Sequence, residues 1–167
     1  VGKTLIQSTY DRFLQVCPPE NIFIVTNEIY VDILKEQLPE IHQNQILAEP
    51  VMRNTAPCIA YGSMKIAELN PNAVIVVAPS DHTITNQKEF VKAIEKSMEA
   101  ASKNNCLITL GIKPNRPDTG YGYIQYNEDL LPTNSEIHQV KTFTEKPNLE
   151  LAQSFLQSGD FLWNAGI

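Results

Sequence analysis

The sequence predicts an α/β fold: a doubly wound, mostly parallel sheet with helices on both faces, carrying a small β arm. Three observations predict it. Apolar runs of strand length alternate four times with amphipathic stretches of helix length, joined by short connections, the pattern of a parallel sheet with crossover helices. The run AVIVVAP (73–79) is β-branched and almost wholly apolar, as in a strand covered on both faces. After Gly111 the style changes, and GYGYIQYN (120–127) and EIHQVKTFTEKP (136–147) alternate apolar with polar residues, the signature of a one-faced strand.

The elements follow in order. TLIQSTYDRFLQV (4–16) reads as an amphipathic helix carrying Leu5, Tyr10, Phe13 and Leu14, stopped by Pro18 and Pro19. IFIVT (22–26) is a buried strand, IYVDILKEQL (29–38) a helix ending before Pro39, and QILAE (45–49) a short strand. A helix over 56–69 ends before NPN (70–72); the strand 73–79, a long helix over 87–104 and a buried strand CLITLGI (106–112) complete the alternation. A polar loop with Pro132 separates the two arm strands, and a helix over 149–157 leads through Gly159 into FLWNAGI. Crossovers between parallel strands should be right-handed. The chain opens on a turn feeding a helix, with no strand before it, and stops inside an apolar segment. Residues 1–167 are therefore expected to be a single core domain, incomplete at both ends.

Hydrophobic residues make up 43% of the chain and charged residues 19%, enough apolar side chains for a core and too little charge for a disordered segment. The formal net charge is −6, which argues against a general nucleic-acid or anionic-membrane binder but not against a small anionic substrate. No segment approaches the ~20 apolar residues that span a bilayer. Cys17, Cys58 and Cys106 are widely spaced and odd in number, which is neither a disulfide framework nor a zinc pattern. They read as reduced, mostly buried thiols of a cytoplasmic protein.

Five stretches carry candidate chemistry. In APSDHTI (78–84), Asp81 follows the most apolar strand, where open α/β sheets bind ligands. It is placed to hold a divalent cation such as Mg²⁺, or to bond its own turn or cap a helix. EPVMRNTAP (49–57) crowds Glu49, Arg53, Asn54, Thr55 and Ala56 at a helix start, where free N–H groups attract anions. Asn54 or Thr55 as an ordinary cap, with Pro57 in the first turn, is the plainer reading, and it leaves Glu49 and Arg53 without a role. TGYG (119–122) is a turn or a place of close backbone approach. FTEKP (143–147) puts Glu145 and Lys146 at a strand end, as a surface ion pair or as ligand contacts. LWNAG (162–166) sets Asn164 beside the only tryptophan.

In this order and spacing the strings TLIQSTYDRF, EPVMRNTAPCIA, VVAPSDHTI, TLGIKPNRPDTGYGYI, VKTFTEKP and FLWNAGI resemble the sugar nucleotidyltransferases, and within them the mannose-1-phosphate guanylyltransferases. The resemblance implies a Rossmann-like core of the nucleotide-diphospho-sugar transferase type that uses Mg²⁺, GTP and mannose 1-phosphate to make GDP-mannose, with a homodimer allowed. It implies a nucleotide site at Glu49, Arg53, Asn54, Thr55 and Ala56, and a metal ligand at Asp81. It implies a sugar-phosphate site at Gly122, Glu145, Lys146 and Asn164, with Asp81 and Lys146 the catalytic pair. The family's glycine-rich GTR loop, its PKQ string and a second metal-binding aspartate have no counterpart in these residues. On this reading the chain alone is expected to be poorly active. A non-catalytic sugar-nucleotide-binding homologue, or a transferase for another sugar 1-phosphate, is the alternative.

Overall fold

The computed structural model describes residues 2–131 and 134–167. The chain falls into two compact units, 1–98 and 99–167, that divide within one helix; the predicted loop at Pro132 lies outside the described residues.

In the first unit, Thr4 opens α1 (Leu5–Phe13) with a capping box. Its hydroxyl accepts from the Gln7 N–H and the Gln7 side chain accepts from the Thr4 N–H, so two end donors of the helix are satisfied reciprocally. The buried face of α1 is Thr9, Tyr10 and Arg12. Tyr10 packs with Leu34, Leu38, Ile41 and Ile46, and Ile24 leans on the same cluster. β1 (Ile24–Asn27) and β2 (Ile46–Glu49) pair in parallel, Ile24 opposite Ile46 and Asn27 opposite Glu49. Between them runs α2 (Val31–Gln37), entered through a 3₁₀ turn at Glu28–Tyr30 in which the Ile29 N–H donates to the Asn27 side chain. The predicted helix over 29–38 thus begins as a tighter turn. α3 (Thr55–Leu69) lies close on β1: a Cβ on Gly62 would stand 2.9 Å from Val25 Cγ2. α4 (Gln87–Asn104) is capped by Asn86, whose Oδ1 accepts from the Glu89 N–H.

The alternation of α and β, the parallel pair and the covering helices follow the sequence. Two strands do not. Residues 73–79, expected to be a strand buried on both faces, pair with no strand among the described residues, and Val74 and Val77 are each 37% exposed. A strand apolar on both faces belongs at the centre of a sheet, where each edge needs a ladder partner. The described residues supply neither partner. The strand expected over 106–112 contracts to β3 (Gly111–Ile112), and Leu107 is left fully exposed.

The second unit is built on an antiparallel sheet of order β3-β6-β4-β5, from β4 (Tyr123–Leu131), β5 (Asn134–Thr144) and β6 (Phe161–Asn164). The residues predicted as an extended arm therefore form a sheet with its own core. α5 (Leu149–Ser158) is capped by Asn148 and stopped by Gly159 in the left-handed conformation, φ 80°, the helix end that glycine adopts without a Cβ penalty. It covers the sheet with Ala152 and Phe155, packed on Tyr123, Phe161 and Trp163. Phe155 and Phe161 stack with centroids 3.9 Å apart.

The cysteines are free and none of them is exposed, as expected. The strand expected around Cys106 does not form.

Candidate functional site

The head of α3 departs from an ordinary helix start. Asn54, the residue before the helix, has φ 66° and ψ −172°, and its side chain makes no cap hydrogen bond. That backbone region is open almost only to glycine and costs a side-chain-bearing residue about 1–3 kcal/mol. Neither side-chain capping nor conformational preference thus accounts for Asn54. Thr55 and Ala56 form the first turn with Pro57, which has no N–H to leave unmet. The exposed N–H groups of Thr55 and Ala56, at the positive end of a 15-residue helix, suit an anion.

Glu49 closes β2 at the foot of this turn. Its carbonyl accepts from Asn27 Nδ2 at 3.1 Å, and Tyr61 of α3 donates to the neighbouring Ala48 carbonyl at 3.4 Å. The Glu49 carboxylate meets the Cys58 thiol, whose pKa is pushed up by burial first and then by the charge and hydrogen bond of Glu49. Glu49 is thereby tied to the first turn of α3. Arg53 is exposed, with no ion-pair partner among the described residues.

Asp81 sits on the turn after 73–79 and is exposed. Among the described residues nothing hydrogen-bonds its carboxylate, and the following helix is capped by Asn86 instead. The two residues beside it are held by α1. Thr9 Oγ1 donates to the Ser80 carbonyl at 3.2 Å and Arg12 Nη2 to the His82 carbonyl at 3.2 Å. No group of three His, Cys, Asp or Glu side chains among the described residues could cage a metal. A single free carboxylate fits Mg²⁺, which takes one or two carboxylates and keeps water and substrate phosphates as its other ligands.

In the second unit the four sugar-side candidates come together. Gly122 accepts at its carbonyl from the Asn164 N–H at 2.8 Å. A Cβ on Gly122 would stand 2.8 Å from Glu145 Oε2 and 3.1 Å from the Phe143 ring, so the glycine makes room for the Glu145 carboxylate. The Asn164 Oδ1 accepts from Thr109 Oγ1 at 2.8 Å and from the Gly166 N–H at 3.1 Å, which turns the amide so that its NH₂ is the end left for a ligand. Strict strand alternation would send Glu145 and Lys146 to opposite faces. The strand ends at Thr144, and Lys146 takes φ 41°, a left-handed conformation. Its ammonium then lies 3.9 Å from Glu145 Oε1, with both side chains more than half exposed. Strain at such a residue is often functional.

Close by, Arg116 lies over the Trp163 ring at 5.0 Å and Tyr121 packs on it at 5.1 Å. Arg116 also pairs with Asp118 at 2.7 Å. The Asp118 carboxyl is held below the usual range, first by the Gly120 N–H and then by Arg116. The first unit therefore holds the head of α3 and the Asp81 loop, while the second gathers Gly122, Glu145, Lys146 and Asn164.

Thr9, Arg12 and Thr109 escaped the sequence reading. For Arg12 a signal was available: a cation three residues from Thr9 on the apolar side of α1, between Tyr10 and Phe13. Thr109 reaches Asn164 by a hydrogen bond between residues 55 positions apart, which no local pattern displays.

The family model of nucleotidyl transferases matches residues 1–167. The chain belongs to the nucleotidyl transferase family. This nucleotidyl transferase chain is 38% identical over 169 residues to a mannose-1-phosphate guanylyltransferase of Escherichia coli, covering 98% of the chain and 36% of that relative. It is 37% identical over 171 residues to a mannose-1-phosphate guanylyltransferase of Salmonella montevideo, covering 99% of the chain and 36% of the relative. Its fold is similar to the crystal structure of mannose-1-phosphate geranyltransferase from Thermus thermophilus, with TM-score 0.84 and 28% identity over 99% of the chain and 46% of that protein. The nucleotidyl transferase chain thus spans about a third of the length of the curated relatives it matches. No helix among its described residues is long and apolar enough to cross a membrane.

Proposed function

We propose that the protein carrying this chain transfers GMP from GTP to α-D-mannose 1-phosphate, forming GDP-mannose and releasing pyrophosphate in the cytoplasm. The observation that carries this reading is the similarity along nearly the whole chain to enzymes named for that reaction. The strained, non-capping Asn54 and the cluster of Gly122, Glu145, Lys146 and Asn164 support it.

A phosphate oxygen of the sugar phosphate attacks the α-phosphorus of GTP, and the bond from that phosphorus to the departing pyrophosphate breaks. No covalent enzyme intermediate is needed, so the protein's task is positioning and charge neutralisation. Asn54 and Glu49 offer donors and acceptors to the base and ribose, while the N–H groups of Thr55 and Ala56 and the Arg53 side chain face the charged nucleotide. Asp81 would hold Mg²⁺, which supplies charge neutralisation on the phosphates when bound. Glu145 accepts from sugar hydroxyls, the Asn164 NH₂ donates to the sugar, and Lys146 grips its phosphate.

The test is pyrophosphate release by the complete natural protein with mannose 1-phosphate, Mg²⁺ and GTP, ATP or UTP in turn. Release that prefers GTP is expected, with quenching or a shift of the Trp163 fluorescence on GDP-mannose binding. Binding without turnover would instead make the protein a sugar-nucleotide sensor. Equal rates with all nucleotides would reject a guanine site, and activity with other sugar 1-phosphates in place of mannose 1-phosphate would reassign the sugar.

A further inference from the structure

Arg12 is the least expected residue in the first unit. It is 3% exposed, and among the described residues it has no carboxylate partner. Its Nε is buried without a hydrogen bond. Burying a guanidinium this way is costly, and burial lowers its pKa. What it does make is specific. Nη2 donates to the His82 carbonyl at 3.2 Å, Nη1 donates to Thr9 Oγ1 at 3.4 Å, and the guanidinium lies 5.6 Å from the Phe90 ring centroid. Phe90 is fixed edge-on against Phe13 of α1 at 5.8 Å. Thr9 in turn donates to the Ser80 carbonyl at 3.2 Å. One relay of two side chains on one helix face therefore grips the backbone on each side of Asp81. The loop is otherwise poorly held, since 73–79 has no ladder partner among the described residues and the Asp81 side chain bonds nothing there.

We propose that Thr9 and Arg12 are positioning residues that fix the 80–82 backbone and so aim the Asp81 carboxylate at the cation. The role of Asp81 itself rests on the function proposed above; the clamp on the loop does not. A planar guanidinium reaches hydroxyl and carbonyl together in one fixed geometry, which a lysine ammonium does not reproduce.

The test uses the complete natural protein and four variants: Arg12→Lys, Arg12→Met, Thr9→Val and Asp81→Asn. Two quantities are read: amide hydrogen exchange over 79–84, and Mn²⁺ affinity by electron paramagnetic resonance in the presence of GDP-mannose. Thr9→Val keeps shape and Arg12→Lys keeps charge, so cooperative melting is expected to survive in both even if Arg12→Met fails to fold. Expected are roughly threefold to tenfold faster exchange at 79–84 in Thr9→Val and Arg12→Lys, exchange in β4 unchanged, and a similar loss of Mn²⁺ affinity. In the Asp81→Asn background neither substitution should weaken Mn²⁺ binding further. Unchanged exchange at 79–84 in both conservative variants overturns the clamp, whatever Asp81 does. Faster exchange with Mn²⁺ affinity intact overturns the aiming role. If Asp81→Asn alone leaves Mn²⁺ affinity unchanged, the metal reading falls, and the exchange data alone then decide whether the clamp exists.

Discussion

The two units prepare their candidate sites in different ways. The first offers backbone: a helix head with free N–H groups, a strained Asn54, and a loop whose carbonyls are gripped from α1. The second offers side chains, set on a sheet with its own aromatic core and converging on Gly122. A backbone site tolerates substitution of its exposed side chains better than a side-chain site does. Its weak points are conformational. The side-chain site fails when a charge is lost or a Cβ fills its space.

Lys146 should give the largest effect. Lys146→Ala removes a charge-assisted bond to phosphate, worth about 1.5–3 kcal/mol. In the complete protein the kcat/KM for the sugar phosphate should fall about ten- to hundredfold, with the KM for nucleotide little changed. An equal loss for both substrates would place Lys146 outside the sugar side.

Gly122→Ala comes next. Its Cβ would stand 2.8 Å from Glu145 Oε2, the end of an exposed side chain that must swing aside, and 3.1 Å from the Phe143 ring, which must give by a few tenths of an ångström. Lower thermal stability and weaker sugar-phosphate binding are expected together, by calorimetry. In the first unit, Gly62→Ala meets Val25 Cγ2 at 2.9 Å and gains helix propensity, about 1 kcal/mol in compensation; it should leave sugar binding alone.

Asn54→Gly separates strain from contact. Glycine accepts φ 66°, ψ −172° freely, so stability should rise by about 1 kcal/mol while nucleotide affinity falls. A rise in both would show that the Asn54 side chain makes no nucleotide contact.

The smallest effect is electrostatic. The Asp118 carboxyl is held below its usual range by the Gly120 N–H and Arg116. The unfolded chain therefore takes up the proton first, and the stabilisation is complete above the unfolded value of about 4. It is lost as pH falls through the lower folded value. The Gly120 amide resonance should titrate below pH ~4 and stop doing so in Asp118→Asn.

Much of this was legible in the residues. The helices were readable because amphipathic periodicity marks them and chain breakers mark their ends: Pro18 and Pro19 after α1, Pro39 after α2, Gly159 after α5. The chemistry-bearing strings were readable because they are contiguous. Sheet pairing was less so. The apolar run 73–79 states that it needs neighbours but not whether they are present, and the alternating segments after residue 120 state one buried face but not that α5 will cover it.

By itself, then, the sequence determined the order of the helices, the family and the five candidate stretches, because periodicity, chain breakers and motif spacing are properties of neighbours along the chain. The tertiary structure alone decided that Asn54 is strained rather than capping and that Lys146 turns back beside Glu145. It alone decided that Gly122 makes room for a carboxylate and that a buried arginine holds the loop of Asp81. Each of these depends on a dihedral angle or on a contact between residues far apart in the chain, and neither is encoded in local pattern.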